Sequence, residues 1–401
     1  MADNPFKKIL EAGLSFIKKS QTRTESVVGI DIGASSIKVV QLKKKAGKAV
    51  LETYGELSLG PYVENIATPA DGGVSTEGGA STRGEVGELA NLSNDKLAQA
   101  IADVLKESEI TTRDAAMSIP ASASLIFTVE IPSQVTEKDL ATIVPTEARK
   151  YIPVPINEVS LDWWAIPKKE ESESSAAESA ETEVKEAVMS KTEVLVAAIH
   201  NDTMKKYKEV SEQAHLEADT FEIEVWSNIR STFGYEISAV LLVDFGASKT
   251  KLAIVDRGII RSFHIINRGS VDISNGISKS MNVPFARAEE LKREVGLAGT
   301  DDKKDVSEIA LLSVGYIFSE ANSVVLNYEK KENKAISKVI LSGGGSLLKG
   351  FITAAGENFQ CEVILADPFD KTEAPVFLSN ILKSVGPEFS VATGLALRKL
   401  K

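Results

Sequence analysis

The stretch Val27-Val28-Gly29-Ile30-Asp31-Ile32-Gly33-Ala34-Ser35-Ser36-Ile37-Lys38-Val39-Val40-Gln41-Leu42 sets two apolar runs on either side of a turn of small residues. The pattern predicts a β-hairpin. Small residues let the main chain approach a ligand closely, so such a turn can lay backbone N–H groups against a phosphate. Asp and Gly also occur in plain hairpins because turns need them, so this stretch alone leaves both readings open.

The same signal returns 213 residues later (244 − 31) in Val240-Leu241-Leu242-Val243-Asp244-Phe245-Gly246-Ala247-Ser248-Lys249-Thr250-Lys251-Leu252-Ala253-Ile254-Val255. Asp31, Gly33, Ala34 and Ser35 correspond to Asp244, Gly246, Ala247 and Ser248. Repetition at this distance predicts two similar domains, each offering a phosphate-cradling turn. Facing one another, the turns would clamp an oligophosphate. Asp31 and Asp244 would then lie close together and could hold Mg²⁺ through water, since that ion keeps much of its hydration shell. A third element, Val339-Ile340-Leu341-Ser342-Gly343-Gly344-Gly345-Ser346-Leu347-Leu348, reads as a buried strand running into a glycine turn where a planar base can stack.

Composition agrees with a folded, globular chain. At 401 residues it should hold about two to three domains. The net charge of −11 argues against nucleic acid as the main partner, because phosphodiester binding needs a basic surface. Cys361 is the single cysteine and the three histidines are scattered, which excludes an intrachain disulfide and disfavours a Cys- or His-based metal centre. No signal-peptide pattern is present, and no uninterrupted apolar run reaches the roughly 18 to 20 residues of a membrane span. The expectation is a cytoplasmic protein.

Residues 4–19 have helical periodicity, with Phe6, Ile9, Leu10, Leu14 and Ile17 on one face amid Lys7, Lys8, Lys18 and Lys19. This suits a weak membrane-surface contact or a helix packed on its own domain. Strands are expected at 49–59, 115–119, 124–131, 159–166 and 192–199, and helices at 95–108 and 202–215. Another helical stretch opens near Thr136 and Asp139 and stops by Pro153. Residues 60–93 and 168–191 are rich in Gly, Ser, Thr, Ala and Glu with few large apolar residues, the composition of flexible segments.

Together these residues resemble the actin-like ATPase superfamily, which includes actin, the heat-shock chaperones and the cell-division protein FtsA. The likeness is greatest to the PilM family of type IV pilus assembly, over about residues 26–400. It is carried by Gly29–Leu42, Glu147–Pro155, Asp244–Gly258, Leu341–Gly350, Asp367–Phe369 and Gly394–Arg398. The resemblance implies a two-domain α/β fold of the ribonuclease H-like, actin-like kind with an FtsA/PilM-type subdomain, 1C. It divides the chain into an N-terminal segment (1–25), subdomain 1A (26–113, 200–235 and from about 375 to 401), subdomain 1C (114–199) and a second domain (236–374). It implies ATP and Mg²⁺ as cofactors. Gly33, Ala34, Ser35, Ser36 and Lys38 would serve the phosphates from one side, and Gly246, Ala247, Ser248 and Lys249 from the other. Glu289 and Lys292, in the superfamily's AExxK helix, would contact ribose and adenine, with Gly343, Gly344, Gly345 and Leu347 around the base. Asp31 and Asp244 would attend the metal. The implied partner is the cytoplasmic N-terminal peptide of the inner-membrane protein PilN, bound between subdomains 1A and 1C at the inner face of the membrane, with other pilus-assembly components.

Turnover needs a group that positions or deprotonates water. Glu222 and Glu224, at the crossing between domains, are the candidates, although solvated acids beside a strand would look the same. The expectation is slow or absent hydrolysis, with nucleotide setting domain closure. An FtsA-like filament former, a small-molecule kinase of the superfamily and a pure scaffold stay open as other readings.

Overall fold

The computed structural model describes residues 26–62, 92–132, 137–166, 191–300 and 302–400. The amphipathic stretch at 4–19 and nearly all of the 60–93 and 168–191 segments lie outside the described residues. The first domain opens with an antiparallel meander, β1 (Ser26–Ile32), β2 (Ser36–Lys45) and β3 (Lys48–Ser58). Helix α1 (Asn94–Glu107) follows, and the Ser93 side chain caps it by accepting from the Lys96 N–H. Strand β4 (Asp114–Ile119) then lies parallel to β1.

Next comes a small module of β5 (Ser124–Pro132), α2 (Glu137–Ala148), β6 (Val159–Ala165) and β7 (Lys191–His200), with sheet order β5-β7-β6. The chain returns through α3 (Asn201–Gln213), β8 (Glu217–Ile223) and α4 (Glu224–Thr232), completing a sheet ordered β3-β2-β1-β4-β8.

The second domain repeats the plan. Its strands β9 (Ala239–Phe245), β10 (Thr250–Asp256), β11 (Ile259–Ile266), β12 (Ile336–Ser342) and β13 (Glu362–Leu365) are ordered β11-β10-β9-β12-β13. Its helices are α5 (Ser270–Met281), α6 (Phe285–Val295), α7 (Lys304–Glu332) and α8 (Phe351–Asn358); α9 (Ser379–Val385) and α10 (Ser390–Lys399) follow. Side chains of β9 alternate between two cores, as a strand's period of two requires. Leu241, Val243 and Phe245 join the helices of their own domain, while Val240 and Leu242 join Ile223, Val225 and Phe233 of the first.

Two expected boundaries move. Strand β4 was assigned to the small module but belongs to the main sheet, where Ala115, Ala116, Met117 and Ile119 are fully buried between β1 and β8. The module therefore spans 124–200. The return to the first domain precedes 375, because Phe369 already packs on Tyr54 and Phe389, with ring centroids 5.7 and 6.1 Å away.

Helix α7, 29 residues long, contains an 18-residue window of mean hydropathy 1.6 and so is long and apolar enough to cross a membrane. Ser313, Gly315 and Ser319 interrupt its apolar runs, which hid it from a search for unbroken stretches. In the fold, Val306, Ala310, Val314, Ile317, Phe318 and Ala321 form the second domain's core, while Leu311, Leu312, Tyr316 and Leu326 lie exposed.

Helix α10 is wedged between β1 and α4. A Cβ on Gly29 would lie 2.0 Å from the Ala392 carbonyl oxygen, and one on Gly394 would lie 1.8 Å from that of Ser227. Only glycine permits either approach. Gly394→Ala should therefore lower stability by about 1–3 kcal/mol through overpacking. Urea unfolding checks this, and an unchanged midpoint would count against the helix contact.

Candidate functional site

Each hairpin closes its turn identically. The Gly33 N–H donates to the Ser36 carbonyl at 3.0 Å, and the Gly246 N–H to the Lys249 carbonyl at 3.1 Å. The residues between, Ala34–Ser35 and Ala247–Ser248, are half-buried at the strand ends. A Cβ on Gly33 or Gly246 would press on those same carbonyls at 3.0 and 2.9 Å. Strand register then places a lysine opposite each acid, Lys38 across from Asp31 and Lys251 across from Asp244.

Asp31 is oriented by the Ser118 hydroxyl of β4, which donates to its Oδ1 at 2.9 Å. Burial, then the charge of Glu224, push its carboxyl up to about 6. Lys38 donates to Ser36 Oγ at 2.7 Å and pairs with Glu56 at 3.0 Å. Burial opposes its charge, but Glu56, Asp31 and Glu388 outweigh that and raise its pKa. Lys251 bridges Glu224 Oε2 at 2.7 Å and Asp244 Oδ2 at 3.1 Å, joining α4 of the first domain to the second hairpin. The other oxygen of Glu224 accepts the Ala121 N–H at 2.7 Å.

The second turn is braced by α5. The Ser270 and Val271 N–H groups donate to the Gly246 and Ala247 carbonyls at 3.0 and 2.9 Å. Behind it, Glu289 and Lys292 of α6 pair at 2.6 Å. Ser274 and Arg293 also donate to Glu289, at 2.5 and 2.9 Å, and Lys292 reaches the Ser270 carbonyl at 3.1 Å. Burial pushes Lys292 down despite its partner.

The glycine turn after β12 starts with Gly343 in the left-handed region, φ 81°. A Cβ there would sit 2.5 Å from Asp244 Oδ1. Gly344 is exposed beside Glu388 Oε2, Gly345 is buried against Phe245, and Leu347 is half-buried. Glu388 senses Glu56, Lys38 and Arg293, and burial raises its carboxyl. The cleft thus gathers both hairpin turns, the glycine turn and the edge of α6 around one set of charges.

Glu222 stands apart from it. The chain changes from strand to helix at Ile223 and sends the two candidate acids to different partners. Arg230 grips Glu222 with two bonds of 2.6 Å, and Arg398 and Ser227 donate to the same carboxylate. Burial is overcome by Arg230 and Arg398, and the carboxyl is held below its ordinary range. Its role is to anchor α4 to α10, so the expectation that it activates water is corrected. Lys249 supplies its backbone carbonyl to the turn, whereas Lys251 is the cleft's cation. The sequence carried the signal, since Lys251 follows Asp244 by the same seven residues that separate Lys38 from Asp31. Ser118, Glu56 and Glu388 have no such local pattern.

A family model described as type IV pilus assembly protein PilM matches residues 81–400. The chain belongs to the PilM family. A PilM–PilN type IV pilus biogenesis complex is similar in structure, with a TM-score of 0.72 at 22% identity, covering 95% of this chain and 100% of that one. The ethanolamine utilization protein EutJ from Carboxydothermus hydrogenoformans gives a TM-score of 0.49 at 13% identity over 97% of this chain and 98% of its own. The cell division protein FtsA from Neisseria meningitidis serogroup B is 26% identical over 178 residues, 39% of this chain and 41% of its own length. The match thus spans less than half of that curated relative. This PilM-family chain has the actin-like two-domain fold that the resemblance implies.

Asp31 gives a pH test. Its folded-state pKa, about 6, exceeds the ordinary 3.8, so the native state holds the proton more tightly than the unfolded chain. The stability it contributes is full at low pH and is lost as pH rises from 3.8 to about 6. Asp31→Asn should lack that loss. Urea unfolding across this range compares the two chains, and parallel pH profiles would contradict the assignment.

Proposed function

We propose that this chain is an ATP-binding adaptor of type IV pilus assembly. The reading is carried by one observation: two turns of equal geometry, each with an acid and a lysine in register, meet across the same cleft. Gly33 and Gly246 close the turns with their own N–H groups, and the backbone N–H groups of Ala34–Ser36 and Ala247–Lys249 would receive the phosphates with Lys38. Gly343–Gly345 and Leu347 would flank the base, and Glu289 and Lys292 would lie at the nucleoside.

Mg²⁺ fits only as a hydrated ion. Among the described residues, no three Asp, Glu, His or Cys side chains gather as a direct metal site. One oxygen of Asp31 holds Ser118 and Asp244 is bonded to Lys251, so the pair would hold the ion through water. When bound, such an ion neutralises phosphate charge. Both oxygens of Glu224 are hydrogen-bonded. In this arrangement the carboxylate is engaged by Lys251 and Ala121, which supports binding with slow or absent hydrolysis.

The partner proposed is a PilN-like inner-membrane protein, whose cytoplasmic N-terminal peptide would lie between the first domain and the small module. Other pilus-assembly components would follow, with the chain working at the inner face of the membrane and residues 4–19 adding a weak surface contact. Support comes from membership of the PilM family and from the fold shared with the PilM–PilN complex. A filament-forming or kinase role has no observation that favours it.

Equilibrium dialysis with ATP tests the cleft. Asp31→Ala and Asp244→Ala should each weaken Mg-ATP binding about tenfold or more, and full retention in both would reject it. Titration of a PilN-type peptide should give an affinity that differs about fivefold or more between ATP-bound and nucleotide-free chain. Equal affinities would reject the coupling.

A further inference from the structure

Lys38 finds its carboxylate, Glu56, within its own sheet. Lys251 does not. Its shorter ion pair, 2.7 Å, reaches across to Glu224 on α4 of the other domain. The remaining oxygen of Glu224 accepts the N–H of Ala121, two residues beyond β4 on the connection that leads to the small module. That bond is buried. Two residues further along α4, Trp226 packs at a tilt against Trp164 of β6 with centroids 5.2 Å apart. One helix start therefore touches the small module once, the connection leading into it once and the second hairpin once.

We propose that Lys251 is a phosphate-positioning residue, the counterpart of Lys38, and that nucleotide draws it from Glu224 so that the small module senses occupancy of the cleft. The inference rests on the reading of the cleft as an ATP site. A lysine ammonium is a compact charge on a flexible stem, able to change partners without backbone movement. A polyphosphate competes with the two carboxylates for it. Glu224, losing its cation in a buried place, must turn toward water or another donor, because an unpaired buried carboxylate is strongly unfavourable. Its hold on Ala121 changes with it. Asp244 is left facing the phosphates, where a hydrated cation can take the place of the ammonium.

Hydrogen–deuterium exchange on the full chain, with and without saturating ATP, tests this, alongside equilibrium dialysis for affinity. In the unaltered chain, ATP is expected to change exchange at Ala121 and in β5 and β6 as well as at the turns. Lys251→Met should weaken ATP binding about tenfold and abolish the response of the small module at saturating ATP. Lys251→Arg, which keeps a charged donor, should restore it. An undiminished module response in Lys251→Met, or an unchanged ATP affinity, overturns the proposal. Should Lys251→Met not fold, Glu224→Gln replaces it, with loss of the module response expected and its persistence decisive against. ATP bound without any module response in the unaltered chain defeats this inference alone. No ATP binding at all defeats the cleft reading and this inference with it.

Discussion

The last helix of the chain is held where only glycines allow it to be. Gly29 on β1 and Gly394 on α10 let the helix backbone lie directly on the sheet and on α4. The approach fixes α4, and α4 fixes the crossing between the two domains. The electrostatics follow the same line. Arg398 of α10 and Arg230 of α4 share Glu222, a buried carboxylate whose burial is tolerable because charged donors surround it. Two helices far apart in sequence thus become one rigid post beneath the cleft.

On that post the two sheets act as mirror supports. Their hairpins are interchangeable in register and turn closure, yet their surroundings differ. The first lysine pairs within its own sheet with Glu56, whereas the second is shared between Asp244 of its own sheet and Glu224 of the other domain. The two hairpins share one local design, and the packing of the interdomain helix makes their electrostatic surroundings unequal.

How far this was legible depends on the range of the interaction. The hairpins, the glycine turn and the capped α1 are written locally, in apolar alternation, small turn residues and Ser93, and they were readable. The placement of β4 was not, because a short apolar strand reads alike in a small module or a main sheet. Its membership is decided by its parallel pairing with β1 and β8. Helix α7 escaped because Ser313, Gly315 and Ser319, off its buried stripe, interrupt the apolar run along the sequence. At the candidate site, Asp31 and Asp244 are legible through repetition, and Lys38 through the family resemblance. Glu222 was misjudged, since its partners Arg230 and Arg398 lie 8 and 176 residues away and only the fold brings them together. Lys251 was within reach through its spacing alone.

Gly343 carries a consequence of another kind. Its left-handed backbone sits against the carboxylate of Asp244 and the carbonyl of Phe245. The turn beside the proposed base and the acid beside the proposed phosphates are thus in van der Waals contact, with no side chain between to absorb a displacement. The two ends of a nucleotide would be read by one continuous piece of backbone. Base preference and phosphate grip could not then drift apart under mutation: any change that reshaped one would be felt at once by the other.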